Sequence, residues 1–172
     1  GYITDELIPG ALEKISDRTH IHLCEPIGCH PAIAGLLAER VRSIIDDNGL
    51  NAGNVSAVLA AHGNLQNPQN ALQANALARA IGEKCNGVSV RAAFIEEAPL
   101  ISDWPNLGGA ENLIVLPFMM GGGRHGGEDV PTMIGLDPQH PALVALSADT
   151  PVAGPFKVQD RTIWYARAIG YE

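Results

Sequence analysis

Charge and aromatic rings are both scarce in this sequence: 17% of residues are charged and 5% are aromatic. Cations are outnumbered, with 11 Lys and Arg against 19 Asp and Glu, for a formal charge of −8 and a pI near 5.1. Such a surface repels phosphate backbones and anionic headgroups. That excludes nucleic acid and membrane as main partners and requires an anionic ligand to be met by local cations. No apolar run approaches the roughly 20 residues that span a bilayer. The opening GYITDELIPG lacks the basic and apolar parts of a secretory signal, so a cytoplasmic location is expected. Cys24, Cys29 and Cys85 are odd in number and lack framework spacing, so they read as reduced thiols. There is no G-x-S-x-G elbow, and Ser56 and Ser89 fall inside strand patterns, which disfavours a serine hydrolase.

What the sequence does have is core-forming material: 46% of its 172 residues are hydrophobic, and 19 glycines and 12 prolines punctuate them. Short β-branched runs alternate with segments of helical spacing, which predicts an α/β fold with an open, mainly parallel sheet and helices on both faces. Strands are expected at His20 to Leu23, Val55 to Ala61, Val88 to Ile95 and Asn112 to Phe118. The last three are nearly continuous apolar runs of the kind buried on both faces. A helix is expected from Pro31 to about Asp47, with Ile33, Leu36, Leu37, Val41, Ile44 and Ile45 on its core face and Glu39, Arg40 and Arg42 opposite. A second helix should run from Pro68 to about Glu83, capped by Asn67, with Leu72, Ala76, Leu77, Ala80 and Ile81 against the sheet. After Pro131 a short helix and then turns are expected, and the terminal TIWYARAIGY reads as an edge strand.

In an open parallel sheet, ligands bind beyond the carboxyl ends of the strands. Three strands end there in polar groups: His62-Gly63-Asn64, Glu96-Glu97, and a glycine loop that carries His125, Glu128 and Asp129. Thirty-four residues separate His62 from Glu96 and 29 separate Glu96 from His125, the span of successive strand-helix units. Two imidazoles and one carboxylate suit Co²⁺, Ni²⁺, Fe²⁺ or Zn²⁺. Each histidine alone also reads as a capping or hydrogen-bonded loop residue. The loop Gly121 to Gly127 suggests an anion cradle, but it holds no lysine and fits neither standard glycine-rich nucleotide motif. His22, Cys24, Cys29 and His30 lie close in sequence, yet their C-x4-C spacing is atypical for zinc.

VLAAHGN (58–64), AAFIEEAP (92–99) and VLPFMMGGGRHGGEDVP (115–131) together resemble the three motifs of class II chelatases, in the sirohydrochlorin cobaltochelatase and ferrochelatase branch. The resemblance implies a lyase that inserts a divalent metal into sirohydrochlorin or a related tetrapyrrole, with cobalt first and nickel or iron as alternatives. It implies that His62, Glu96 and His125 handle the metal and the pyrrole protons, and that Asp129 supports the loop. Gly121, Gly122, Gly123 and Arg124 would receive the substrate, with Arg124 and Arg91 meeting its carboxylates. The metal is then a substrate, and no permanently bound cofactor is expected. Asn64 departs from the small hydroxyl residue usual after His-Gly. GYITDELIPGAL resembles GRHGGEDVPTMI without the histidine, and HLCEPIGCHPAIAGLLAERV resembles the final strand and helix of a chelatase half. Residues 1–50 therefore read as the C-terminal remnant of a first half and 51–172 as the half that carries the site. A homodimer, or association with a missing upstream half, would complete the cleft. The alternatives are a carrier that holds metal or tetrapyrrole without joining them, and a degenerate domain serving assembly.

Overall fold

The structure, a computed structural model, describes residues 6–15, 21–22 and 24–171. The chain divides into two compact units, Gly1–Pro31 and Ala32–Glu172. In the first, α1 (Ile8–Glu13) carries Pro9 in its first turn, where a missing N–H costs nothing. A 3-10 turn follows at Ile27–Cys29, closed by the His30 N–H on the Ile27 carbonyl at 3.0 Å. The strand expected at His20 to Leu23 is not found: Ile21 and His22 are outside any strand, and the remainder lies outside the described residues. A run of four residues becomes a strand only through a partner ladder, which its own pattern cannot supply.

The second unit opens with α2 (Ala32–Asp47) and then builds a five-stranded sheet. Its elements are β1 (Val55–Ala61), α3 (Pro68–Lys84), β2 (Ser89–Phe94), α4 (Trp104–Leu107), β3 (Asn112–Pro117), α5 (Val130–Met133), α6 (Pro141–Val144), β4 (Val152–Val158) and β5 (Arg161–Ala166). The strand order is β2-β1-β3-β5-β4, parallel throughout except for the antiparallel β4. All seven residues of β1 are buried because the strand is central and both its faces are covered. Val55, Ala57, Leu59 and Ala61 pack with Leu37, Val41 and Ile44 of α2 and with Ala74, Ala78 and Ile81 of α3. Val58 and Ala60 look the other way, toward Trp104, Val130, Ile134 and Leu143. Burying each large side chain such as Leu59 or Ile114 contributes about 1.5–3 kcal/mol.

Several details differ from the sequence-based expectation. The terminal segment is a strand, but β5 lies between β3 and β4 rather than at an edge. The edge on that side is β4, which falls where turns were expected, and β2 forms the other edge. The Gly154-Pro155 pair of β4 sits at a register shift between Ala153 and Phe156, a position where an edge strand tolerates proline. On α3 Ile81 and Leu77 pack on the core as expected, joined by Ala74 and Ala78, while Leu72 is 59% exposed and Ala76 faces out. Arg40, expected on the solvent face of α2, donates to the Arg167 carbonyl at 2.8 Å. Burial, with Arg167 nearby, lowers its guanidinium pKa to about 10. Among the described residues no helix is long and apolar enough to cross a membrane.

Candidate functional site

The parallel register fixes where the strands end together. Ala61 of β1 pairs with Phe94 of β2, and Ala60 pairs with Pro117 of β3. The pairing continues one step further on each side of β1. The His62 carbonyl accepts the Ile95 and Glu96 N–H groups, both at 3.1 Å, and the Ala60 carbonyl accepts that of Phe118 at 2.8 Å. His62 and Glu96 thus leave the sheet side by side, and the chain after Phe118 is free to form the glycine loop.

That loop turns back as a five-residue π-type turn at His125–Asp129, running straight into α5. The turn sets His125 Nδ1 2.7 Å from Asp129 Oδ2, while Arg124 Nε lies 3.8 Å from Asp129 Oδ1. The His125 ring meets that of His62 edge to face, with 4.7 Å between centroids and an 88° angle. His62 Nδ1 lies 2.9 Å from the Gly63 carbonyl and 3.7 Å from Glu96 Oε2. Carbonyl and carboxylate oxygens only accept, so in the neutral rings the proton sits on Nδ1 and the Nε2 lone pair is left free. Both histidine side chains are nearly half exposed. Imidazoles so placed can bind a borderline cation or take up a proton.

The structure brings His62 to Glu96 and His62 to His125 as pairs. Among the described residues no group of three His, Cys, Asp or Glu side chains is arranged to hold a metal ion at once. Cys24 and Cys29 are exposed free thiols; Cys85 is buried, and burial raises its pKa. Arg124, 80% exposed, stands on the same loop as His125. Arg91 does not reach this rim. It pairs in register with Val58, three residues and roughly 10 Å below the strand end, where it lines clefts on the outer edge of β2 with Arg79 and with Gly108.

A CbiX family profile matches residues 56–172. The chain belongs to the CbiX family. The class II chelatase resemblance of the three motifs therefore holds, and the open, mainly parallel sheet agrees with it. A relative from Halobacterium salinarum, named probable sirohydrochlorin cobaltochelatase, is 28% identical over an alignment of 200 positions. All of this chain is matched, spanning 63% of the length of that relative. Among solved structures, CbiX described as the terminal enzyme of siroheme biosynthesis in denitrifying bacteria superimposes with a TM-score of 0.63 at 22% identity. The match covers 84% of this chain and 68% of that one. A multi-domain protein of Deinococcus radiodurans, described as structurally similar to chelatases, gives 0.57 at 21% identity, covering 86% of this chain and 28% of that one.

Other residues of this CbiX-family chain enter the site without a sequence signal. Glycine is required at Gly126 and Gly127 rather than at Gly121 or Gly123. A Cβ on Gly126 would lie 2.9 Å from the Gly121 carbonyl oxygen and one on Gly127 2.5 Å from that of Gly122, whereas Gly123 has nothing within 4 Å. Beneath the loop, the buried Tyr165 hydroxyl donates to the Gly126 carbonyl at 2.6 Å. Glu97, the neighbour of Glu96, turns instead to the backbone after His62 and accepts the Asn64 N–H at 2.7 Å.

Tyr165→Phe should therefore cost about 1–3 kcal/mol, since it leaves a buried carbonyl without its donor. Burial pushes the Tyr165 phenol well above its ordinary value. The unfolded chain's phenol ionises near ~10, while the native phenol keeps its proton. The contribution is thus complete below pH ~10 and is lost as pH rises beyond it. Urea titrations from pH 7 to 11 should show a steeper alkaline decline for the wild type than for Tyr165→Phe. Parallel declines would refute the assignment.

Proposed function

We propose that this chain inserts a divalent metal ion into sirohydrochlorin or a related tetrapyrrole, with cobalt the first metal to test and nickel and iron the alternatives. The observation that carries the reading is the edge-to-face meeting of His62 and His125 on the carboxyl rim of the sheet, with Glu96 beside His62. The halobacterial relative's name is what favours cobalt.

Metallation requires an incoming M²⁺ to replace the two pyrrole protons of the ring. The free Nε2 positions of His62 and His125 receive the cation and then the protons, tasks an imidazole performs near neutral pH. Glu96 offsets the positive charge that accumulates when the ion and the protons share this rim. Arg124 meets peripheral carboxylates of the ring, and Gly121, Gly122 and Gly123 let its flat face approach the backbone. The work is done in the cytoplasm, and a second copy or an upstream half closes the cleft from the opposite side. By sequence, residues 1–50 are then the end of that kind of half and 51–172 the half bearing the site, with α2 (Ala32–Asp47) contributed by the first and packed on the sheet of the second.

Anaerobic absorbance spectroscopy of sirohydrochlorin with Co²⁺, Ni²⁺ or Fe²⁺ tests this reading. Spectral conversion faster than the uncatalysed background is expected, with the metals ranked by rate. Tight binding of metal or ring at background insertion rates would replace the chelatase reading with the carrier one.

A further inference from the structure

The strand-end sequence carries two adjacent glutamates, and the fold sends them to different tasks. Glu96 leaves β2 toward the imidazole of His62, its side chain 55% exposed. Glu97 is half-buried and reaches across 33 residues of sequence to the turn that follows His62. Its Oε1 accepts the Asn64 N–H at 2.7 Å, a charge-assisted bond of the strong kind. The same carboxylate lies against Gly63. A Cβ built on that glycine would be 2.8 Å from Glu97 Oε1, 2.9 Å from its Cγ and 3.0 Å from Phe94 Cβ. Gly63 has φ of +77°, a conformation that glycine adopts freely and other residues resist.

The turn is tied on its far side as well. The Asn64 side chain accepts the Gln66 N–H at 2.9 Å, its carbonyl accepts the Asn67 N–H at 3.0 Å, and the Asn67 side chain caps α3 through the Gln69 N–H. The Gly63 carbonyl, between the His62 ring and Asn64, is the group that His62 Nδ1 faces. Rotation of the 63–64 peptide would remove the acceptor that holds the ring, and Glu97 opposes that rotation by gripping the next N–H. We infer that Glu97 is a positioning residue: it locks the Gly63-Asn64 turn and so fixes the imidazole of His62 against that of His125. The inference rests on the reading of His62 as a metal-handling residue, but its geometric core can be tested without any insertion chemistry.

The test is proton NMR of the full chain with isotopically labelled histidine, in which six imidazoles report, recorded for wild type, Glu97→Gln and Glu97→Ala. The ring-to-ring nuclear Overhauser effect between His62 and His125 is expected in the wild type and in Glu97→Gln, whose side-chain oxygen still accepts, and is expected to vanish in Glu97→Ala. Zn²⁺ affinity should follow the same order and fall about tenfold in Glu97→Ala. If Glu97→Ala keeps the wild-type ring contact and Zn²⁺ affinity, whatever its melting temperature, the inference is overturned. If Glu97→Ala does not fold, Glu97→Asp takes its place, keeping the charge while losing the reach, with the same two outcomes. Failure of the wild type to metallate sirohydrochlorin would remove the chelatase reading and leave this comparison to stand or fall alone.

Discussion

His62→Ala and His125→Ala are each expected to lower metallation of sirohydrochlorin by about 100-fold or more, toward the uncatalysed rate. On the proposed reading, each substitution removes a cation ligand and a proton acceptor together, and the remaining imidazole cannot supply both at one geometry. The partners left behind differ. Without His62 the Gly63 carbonyl faces solvent, whereas loss of His125 strands Asp129 beside Arg124 and leaves an anion without its hydrogen bond. Because both side chains are nearly half exposed, unfolding free energies should stay within about 0.5 kcal/mol of the wild type. A fall in rate at constant stability separates chemistry from folding. Either variant keeping its rate within threefold of the wild type would remove that histidine from the site.

Gly126→Ala should act on stability and activity together. Its Cβ would press to 2.9 Å on the Gly121 carbonyl oxygen, with Ala168 and Met119 close behind at 3.6 and 3.7 Å. Backbone crowded in this way cannot yield as the end of a long side chain can, and the Tyr165 hydroxyl holds Gly126 from below. Overpacking of this kind costs about 1–3 kcal/mol, or a melting temperature lower by roughly 2–12 °C for a chain of this size. Metallation should fall about tenfold or more because the displaced segment carries His125. Gly123→Ala is the matched control, with nothing within 4 Å of the added methyl, and calorimetry should find it near the wild type. Equal effects of the two substitutions would mean that the loop is shaped by something other than this close approach.

The legible parts of the sequence were those governed by local pattern. β1 and β3 are apolar runs buried on both faces, while β2, expected to be the same, is an edge strand buried only over Ala92, Ala93 and Phe94. The observed limits of all three differ from the expected ones by at most one residue at either end. The pairing of His62 with Glu96 follows from that regularity, since equivalent positions after parallel strands share a rim. β4 was illegible because VAGPFKV breaks alternation at Gly154-Pro155, and what makes it a strand is its ladder to β5. Leu72 and Ala74 illustrate a second limit: on a helix as alanine-rich as α3, several faces have similar apolarity, and docking on the sheet chooses among them. Glu97 and Tyr165 show a third. Their bonds span 33 and 39 residues of chain and end on backbone atoms, which leave no trace in residue identity.

The two imidazoles are mounted on supports of different kinds. His62 is carried by a carbonyl that receives two N–H groups from the neighbouring strand end, so its Cα is anchored as firmly as the sheet itself. His125 is held otherwise: its segment leaves the ladder at Phe118 and is tied back by the Gly127 N–H on the Gly123 carbonyl and by the Tyr165 hydroxyl on the Gly126 carbonyl. The separation of the two rings is therefore set by two unlike supports, a backbone ladder under His62 and one side-chain hydroxyl under the turn that carries His125.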